Sequence, residues 1–382
     1  MIEIIFWLLV FTIFYVYFGY PFLLMILIRL RPASPLEKAD IIPPVTLIIA
    51  AYNEEKVIAK KIENCLALDY PKENIEIIVA SDGSTDNTNE IVRAFNNQNI
   101  KLVTLSSNQG KSSVQNEAVS HANGEILFFS DANVLLRSDA VKKIVRNYVD
   151  KNVGCVVGKV TYINERDTTV TQGEGLYWRY ELYLRAMESK LGILSMGSGP
   201  IMSVRRKLFN TIDPNVGEDF VLPIQSAING YRVIYEPEAV SEEIMFQNTP
   251  MCMFRSKVRI ISKDLRGLFL CRVILNPFRY HLYSVGLFSH KVLRWLVFCY
   301  LITIFILNLL LLGTPFYDLT FTLQISFYIF SILGYLWQKK AKPLPIFGIP
   351  YSFCLVNAAA LLGVARFIIG KKSGRWKPIR HG

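Results

Sequence analysis

Two adjacent carboxylates, Glu218 and Asp219, stand in the run Asn215-Val216-Gly217-Glu218-Asp219-Phe220. A carboxylate at a loop-to-helix junction can take the proton of an incoming hydroxyl. The same place also suits an N-cap or a partner for the helix dipole, so the pair acquires meaning only from its company. It follows the glycine-rich Gly197-Ser198-Gly199-Pro200 and precedes an apolar, helix-like run ending at Gly230. Four more polar clusters lie upstream: Ala51-Tyr52-Asn53-Glu54-Glu55, Ser81-Asp82-Gly83-Ser84-Thr85-Asp86, Asn108-Gln109-Gly110-Lys111 and Asp131-Ala132-Asn133.

Each cluster has a chemistry of its own. Tyr52 offers an aromatic face and Glu54 an acceptor, which suits stacking on and bonding a pyrimidine base; a turn leading into a helix is the competing reading. Asp82 is a short acceptor able to hold a base N–H or a ribose hydroxyl, Gly83 permits the turn, and Thr85 or Asp86 reads as a helix cap. Gly110-Lys111-Ser112 is not a phosphate-binding P-loop, because the motif needs a glycine five positions earlier and Leu105 stands there. Lys111 can still meet a phosphate or a carboxylate. Asp131, with a second oxygen ligand two residues on, can hold a divalent cation bridging a diphosphate. That second ligand is Asn133, a neutral group, so the site holds metal more weakly than two carboxylates would.

The clusters must be positioned by something, and the intervening pattern says what. Val45 to Ala50, Ile75 to Ala80, Ile100 to Leu105 and Glu125 to Ser130 read as strands. Glu54 to Leu66, Asp86 to Asn96, Ser112 to Ala122 and Ser138 to Asp150 read as helices. Such alternation predicts a mostly parallel sheet covered by helices, with ligands beyond the carboxyl ends of the strands, where the four clusters fall. Val153 to Val160 and Arg232 to Tyr235 read as further strands, and Asn116 as a helix-surface residue.

In order and spacing, the four strand ends and Gly217-Glu218-Asp219 resemble the motifs of family 2 glycosyltransferases, across nearly the whole chain. The resemblance implies a GT-A-like α/β domain and an inverting transfer from a nucleotide sugar, UDP-linked. Ala51, Tyr52, Glu54, Asp82, Gly110, Lys111 and Asp131 would then line the donor site. Mg2+ or Mn2+ would sit at Asp131 and Asn133, and Asp219, beside Glu218, would be the base. Two departures matter. The family commonly has Asp-x-Asp where this chain ends in Asn133. Processive members carry Gln-x-x-Arg-Trp where this chain has Ser256-Lys257-Val258-Arg259-Ile260. Arg259 keeps the motif's arginine for the diphosphate, and with Lys257 it would balance the leaving charge. With Ile260 in place of the acceptor-stacking Trp and few membrane segments, one or a few sugars added to a lipid-linked or saccharide acceptor are expected, and a processive polysaccharide synthase is the alternative. A membrane-anchored nucleotide-sugar sensor would share the pocket without needing Glu218 and Asp219.

The 382 residues carry a net charge of +11 and are 52% hydrophobic, with a positive mean hydropathy. Six scattered cysteines form no metal or disulfide pattern. The basic run Arg255, Lys257, Arg259, Lys263, Arg266, Arg272 precedes the apolar C-terminal third, which favours lipid headgroups and phosphate over nucleic acid. Lys263 and Arg266 read foremost as headgroup contacts. Tyr177, Trp178, Tyr180 and Tyr183 do not share one helix face, so they divide between core and a membrane or acceptor surface.

The resulting organisation is an N-terminal transmembrane helix (1–30), a cytosolic catalytic domain (40–250), a basic interfacial region (251–290) with Gly267 to Phe288 lying on the surface, C-terminal membrane segments (291–370) and a basic tail (371–382). The last segment, Leu344 to Gly370, is interrupted by Pro345, Gly348 and Pro350. The chain is expected in a bacterial-type inner (plasma) membrane, alone, as a homo-oligomer or with a partner subunit. A transporter is disfavoured by the near absence of ionisable residues in these segments. If every segment crosses, the basic tail ends outside, against the positive-inside rule; a re-entrant last segment removes the conflict.

Overall fold

The computed structural model describes residues 1–30, 36–164, 169–245, 250–337 and 344–370. The basic motif Lys371-Lys372 and Arg375 to Pro378 lies outside the described residues. Eight strands form one sheet: β1 (Val45–Ala51), β2 (Ile75–Ser81), β3 (Ile100–Thr104), β4 (Ile126–Asp131), β5 (Val134–Leu136), β6 (Val153–Asn164), β7 (Met202–Arg205) and β8 (Arg232–Met245). Their order is β3-β2-β1-β4-β7-β6-β8-β5. The β3-β2-β1-β4 half is parallel, as the alternation predicts. The other half is mixed, because β7 runs antiparallel between β4 and β6, and β5 antiparallel to β8.

Every residue of β1 is buried, since helices cover both faces of the sheet. The period of two divides it between cores: Ile48 and Ala50 join Leu127, Phe129 and Phe220, whereas Leu47 and Ile49 join Ile62, Phe128 and Ile144. The strand expected over Arg232 to Tyr235 continues to Met245. Its partner residues jump from Val157↔Tyr235 to Lys159↔Val240, so Glu236-Pro237-Glu238-Ala239 bulges out and pairing resumes beyond it. Glu236 in that bulge is fully buried and accepts from Lys38 (2.7 Å) and Asn147 (3.1 Å).

Gly267 to Phe288, expected to lie on a membrane surface, turns one face to the sheet domain and leaves the other exposed. Leu268, Ile274, Tyr283 and Leu287 enter the core beneath the sheet, while Arg272 and Arg279 point outward. The basic residues disguised an apolar face that packs inward.

Among the described residues, three helices are long and apolar enough to cross a membrane: Ile2–Leu30, Pro315–Trp337 and Pro345–Ile368. Pro277–Trp295 and Val297–Leu310 form a bent pair at 56° that could make a fourth. The expected interruption of the last segment is not seen, and its helix runs through Pro350 without a break. Polar contacts fasten this part to the sheet domain. Tyr20 donates to Glu188 (2.7 Å), His290 lies 2.6 Å from Glu188 and 3.2 Å from Glu181, and Arg294 donates to Glu181 (3.0 Å). The aromatic segment belongs to the same joint: Tyr180 donates to the Tyr17 carbonyl (2.8 Å), Arg294 lies over the Tyr177 and Tyr180 rings, and Trp178 packs on Tyr162.

Helix Pro345–Ile368 turns back to the sheet domain at its C-terminal end. A Cβ on Gly363 would lie 2.9 Å from Ile261, and the Phe367 and Phe269 rings are 6.2 Å apart. Ile261 and Phe269 belong to helix Pro250–Leu270, which carries Arg259.

Candidate active site

The carboxyl end of β4 delivers Asp131, and the start of helix Glu218–Ile228 delivers Glu218 and Asp219. Between them stands Lys111, the first residue of helix Lys111–Ser120, its Nζ 2.5 Å from Asp131 Oδ1 and 2.5 Å from Glu218 Oε1. The resemblance placed Lys111 in the donor pocket; the structure makes it the bridge between the metal candidate and the base motif.

The geometry is held from several sides. Asn116, expected to be a surface residue, clamps the segment before Glu218: its amide donates to the Ile212 carbonyl (2.7 Å) and accepts from the Ile212 N–H (3.0 Å). Ser112 donates to the Val216 carbonyl at 2.6 Å. On the other side Gly197 N–H donates to the Asp219 carbonyl (2.7 Å), and a Cβ at Gly197 would lie 2.6 Å from that oxygen. Only glycine permits so close an approach, which is why the glycine run precedes the carboxylates.

Electrostatics separate the two carboxylates. Burial would raise Glu218, but Lys111 holds it below the usual carboxylate range. Asp219 is pushed up by burial and by the Glu218 charge. Burial would lower Lys111, yet Asp131 and Glu218 keep its ammonium above the ordinary lysine range. The pair therefore divides: Lys111 favours the anion at Glu218, and Asp219 is the more readily protonated of the two.

The strand-end loops are stitched to one another. Asn53, at φ 52°, accepts from the Thr85 N–H (2.8 Å), and Asp86 accepts from the Glu55 N–H (3.1 Å). Glu54 is buried and its N–H donates to Thr88 (2.8 Å), while Tyr52 is half-buried directly after β1 and its last residue, Ala51. Asp82, expected on the nucleoside, has no exposed surface, and its two oxygens accept from the Gln109 (2.7 Å) and Gly110 (2.8 Å) N–H groups. Its work in this structure is to fold the turn that presents Lys111. Gly110, at φ +102°, caps that helix, and no side chain would sit there without strain.

The cations of helix Pro250–Leu270 divide between its faces. Lys257 lies over the Tyr177 ring, 5.6 Å from its centre, and, two residues before Arg259, it leaves helix Pro250–Leu270 on roughly the other side from that residue. Gly267 touches the base helix, where a Cβ would lie 2.7 Å from Val216 and 3.0 Å from Phe220 and Val221. Counting back by fours from Gly267 gives Lys263 and Arg259 on one face. Both feel the site carboxylates: burial lowers each cation, while Asp219, Asp131 and Glu218 oppose that at Arg259, and Glu218 and Asp219 at Lys263. The four-residue spacing was the signal available in the sequence, and the density of the basic run hid it.

For a divalent ion the chain offers Asp131 and the Asn133 carbonyl oxygen. The Asn133 amide nitrogen donates to Glu243 (3.0 Å), which leaves its oxygen as the acceptor end. No group of three or more His, Cys, Asp or Glu arranged to hold a metal occurs among the described residues. Two oxygens suit a hard cation that takes its remaining ligands from phosphate and water.

The family model "Glycosyl transferase family 2" matches residues 46–213, from β1 to the loop before Glu218. The chain carries a family 2 glycosyltransferase domain. The chain is 30% identical over 213 residues to "Probable glycosyltransferase YdaM" of Bacillus subtilis (strain 168), covering 53% of this chain and 51% of that protein. It is 28% identical over 264 residues to "N-acetylglucosaminyltransferase" of Rhizobium meliloti (strain 1021), covering 64% of this chain and 61% of that protein. The chain thus matches only about half to three fifths of the length of these curated relatives. In structure it is similar to a mannosyltransferase from Pyrobaculum calidifontis, in complex with GDP-Man and Mn2+, with a TM-score of 0.74 and 21% identity. That likeness covers 97% of this chain and all of the other, so the family 2 domain and the apolar helices share one overall fold with it.

Proposed function

We propose that this family 2 glycosyltransferase domain, carried on a membrane-embedded chain, transfers a sugar with inversion from a nucleoside diphosphate sugar, UDP-linked, to a hydroxyl of a lipid-linked or saccharide acceptor. The observation that carries the reading is the Asp131–Lys111–Glu218 bridge with Asp219 beside it, at the carboxyl end of a parallel strand. Asp219 takes the acceptor proton as its oxygen attacks the anomeric carbon, and the electron pair of the breaking bond passes to the departing phosphate oxygen. Arg259 faces that developing charge. Tyr52 and Glu54 hold the nucleoside, over a floor kept in shape by Asp82. Asp131 and Asn133 would hold Mg2+ or Mn2+, whose charge would neutralise the diphosphate.

The test uses the full chain in detergent with radiolabelled UDP- and GDP-sugars and native membrane lipids. Labelled lipid or saccharide should form, stop on chelation and return with Mg2+ or Mn2+. Full transfer in excess chelator contradicts the metal assignment, and donor binding without transfer or hydrolysis supports a sensor instead. Product size decides extension. Ile260, 40% exposed, cannot supply the flat aromatic face that holds a growing chain in register, so short products spread over the acceptor pool are expected. Long chains formed while most acceptor is untouched would show a processive synthase.

The packing of Gly363 and Phe367 on the Arg259 helix supports a last helix whose C-terminal end lies on the catalytic side. That arrangement satisfies the positive-inside rule with the domain in the cytoplasm of a bacterial-type inner membrane. A fluorescent-protein fusion after Gly382 should therefore glow while a periplasmic phosphatase fusion there stays inactive. The reverse pattern sinks the re-entrant reading.

A further inference from the structure

Helix Pro250–Leu270 is gripped on two faces. Ile261 meets Gly363 of the last apolar helix, and Gly267 meets Val216, Phe220 and Val221 around the base helix. Because Gly267 fixes the helix against the residues flanking Glu218 and Asp219, the side chains one and two turns earlier, Lys263 and Arg259, are set in line along the same face. Both are half-buried, and neither has an ion-pair partner within 4.0 Å among the described residues. Lys111, by contrast, is already held at 2.5 Å by two carboxylates. Two cations about 5–6 Å apart at the Cβ atoms, neither in a direct ion pair, therefore look onto one acidic cluster whose Glu218 and Asp219 charges both feel. A half-buried cation without a counter-ion is costly to keep unless an anion arrives.

We propose that Lys263 and Arg259 form a two-cation clamp on the diphosphate of the nucleotide, an inference that rests on the donor reading above. The spacing of one helical turn suits two linked phosphates better than one. Arg259 offers a planar fork for two oxygens of one phosphate, and Lys263 a point charge for the other. As the bond from anomeric carbon to phosphate oxygen breaks, its electron pair leaves one more negative charge on the diphosphate. The clamp holds that charge without moving, and the acceptor proton resides on Asp219. The neutral Asn133 leaves the metal site one charge short of an acidic pair, and Lys263 supplies a positive charge on the diphosphate in compensation.

The experiment measures binding of UDP, GDP and the corresponding monophosphates to the full chain in detergent with Mn2+, for wild type, Lys263→Met and Lys263→Arg. Lys263→Met keeps the apolar stem and should weaken the diphosphate that wild type binds about tenfold, while changing the monophosphate by less than about twofold; Lys263→Arg should restore most of the loss. Unchanged diphosphate affinity in Lys263→Met overturns the clamp, as does an equal loss for mono- and diphosphate, which marks a structural role. A wild-type chain that binds neither UDP nor GDP overturns the donor reading and the clamp with it. Wild-type binding with an unaffected variant overturns the clamp alone. Should Lys263→Met fail to fold, Lys263→Gln carries the same comparison.

Discussion

Asp219→Asn should reduce sugar transfer by about 10²–10⁴-fold and leave nucleotide affinity within about twofold. The amide keeps the size and one acceptor oxygen of the carboxylate but cannot take a proton. The backbone bond that places this residue, Gly197 N–H to the Asp219 carbonyl, does not involve the side chain, so the fold should survive. The donor contacts proposed above lie elsewhere, on Tyr52, Glu54 and Asp131. The wild-type rate profile should carry the same signature. Burial and the neighbouring Glu218 charge raise Asp219, so activity should fall, as pH is lowered, in a limb above the ordinary aspartate range. Glu218 cannot produce that limb, because Lys111 lowers it. Near-normal transfer by Asp219→Asn, or an acid limb below the ordinary range, would remove Asp219 from the role of base.

How far the sequence alone reaches can be judged from particular residues. The strands that end in Ala51, Ser81 and Asp131 were legible because each is an apolar run buried on both faces, bounded by the polar clusters that follow. Short antiparallel β5 and β7 were not, since three or four residues carry no period and their pairing depends on distant strands. The long β8 was cut short because Glu236-Pro237-Glu238 reads as a terminus, whereas the bulge lets pairing continue. Among site residues, motif spacing brought Lys111, Asp131, Glu218 and Asp219 to notice. It could not show that Lys111 touches both Asp131 and Glu218, because that contact joins positions 111, 131 and 218 through the packing of Asn116 and Ser112 on the segment 212–216. Nor could spacing separate Lys257, which lies over the Tyr177 ring, from Lys263 on the face that Gly267 docks. A cation's sequence neighbourhood says nothing of which helix face is docked, and the docked face here is set by Gly267.

Lys111→Met should be the most destabilising single change in the site. In the wild type, Lys111 stands between Asp131 and Glu218, with side chains 18%, 23% and 5% exposed. Removing the cation leaves two anions facing each other in a site largely closed to water, a change worth about 3–5 kcal/mol. The dependence on pH should invert. In the wild type, Glu218 is lowered, so its contribution is present above the unfolded carboxylate pKa and is lost as pH falls through the lower folded value. Lys111 is raised, so its contribution is full below the unfolded lysine pKa and is lost only as pH climbs through the higher folded value. The wild-type bridge is therefore level across neutral pH and weakens in acid. In Lys111→Met the nearby carboxylates raise one another, the folded chain binds protons more readily than the unfolded chain, and mild acid should stabilise the variant. Apparent melting temperature in detergent against pH makes the comparison. Wild type should fall on acidification while Lys111→Met rises, and Lys111→Met/Glu218→Gln should recover stability at neutral pH by removing one of the two charges. Parallel curves for wild type and single variant, or a double variant less stable than the single, would show that Lys111 does not hold the site together through its charge.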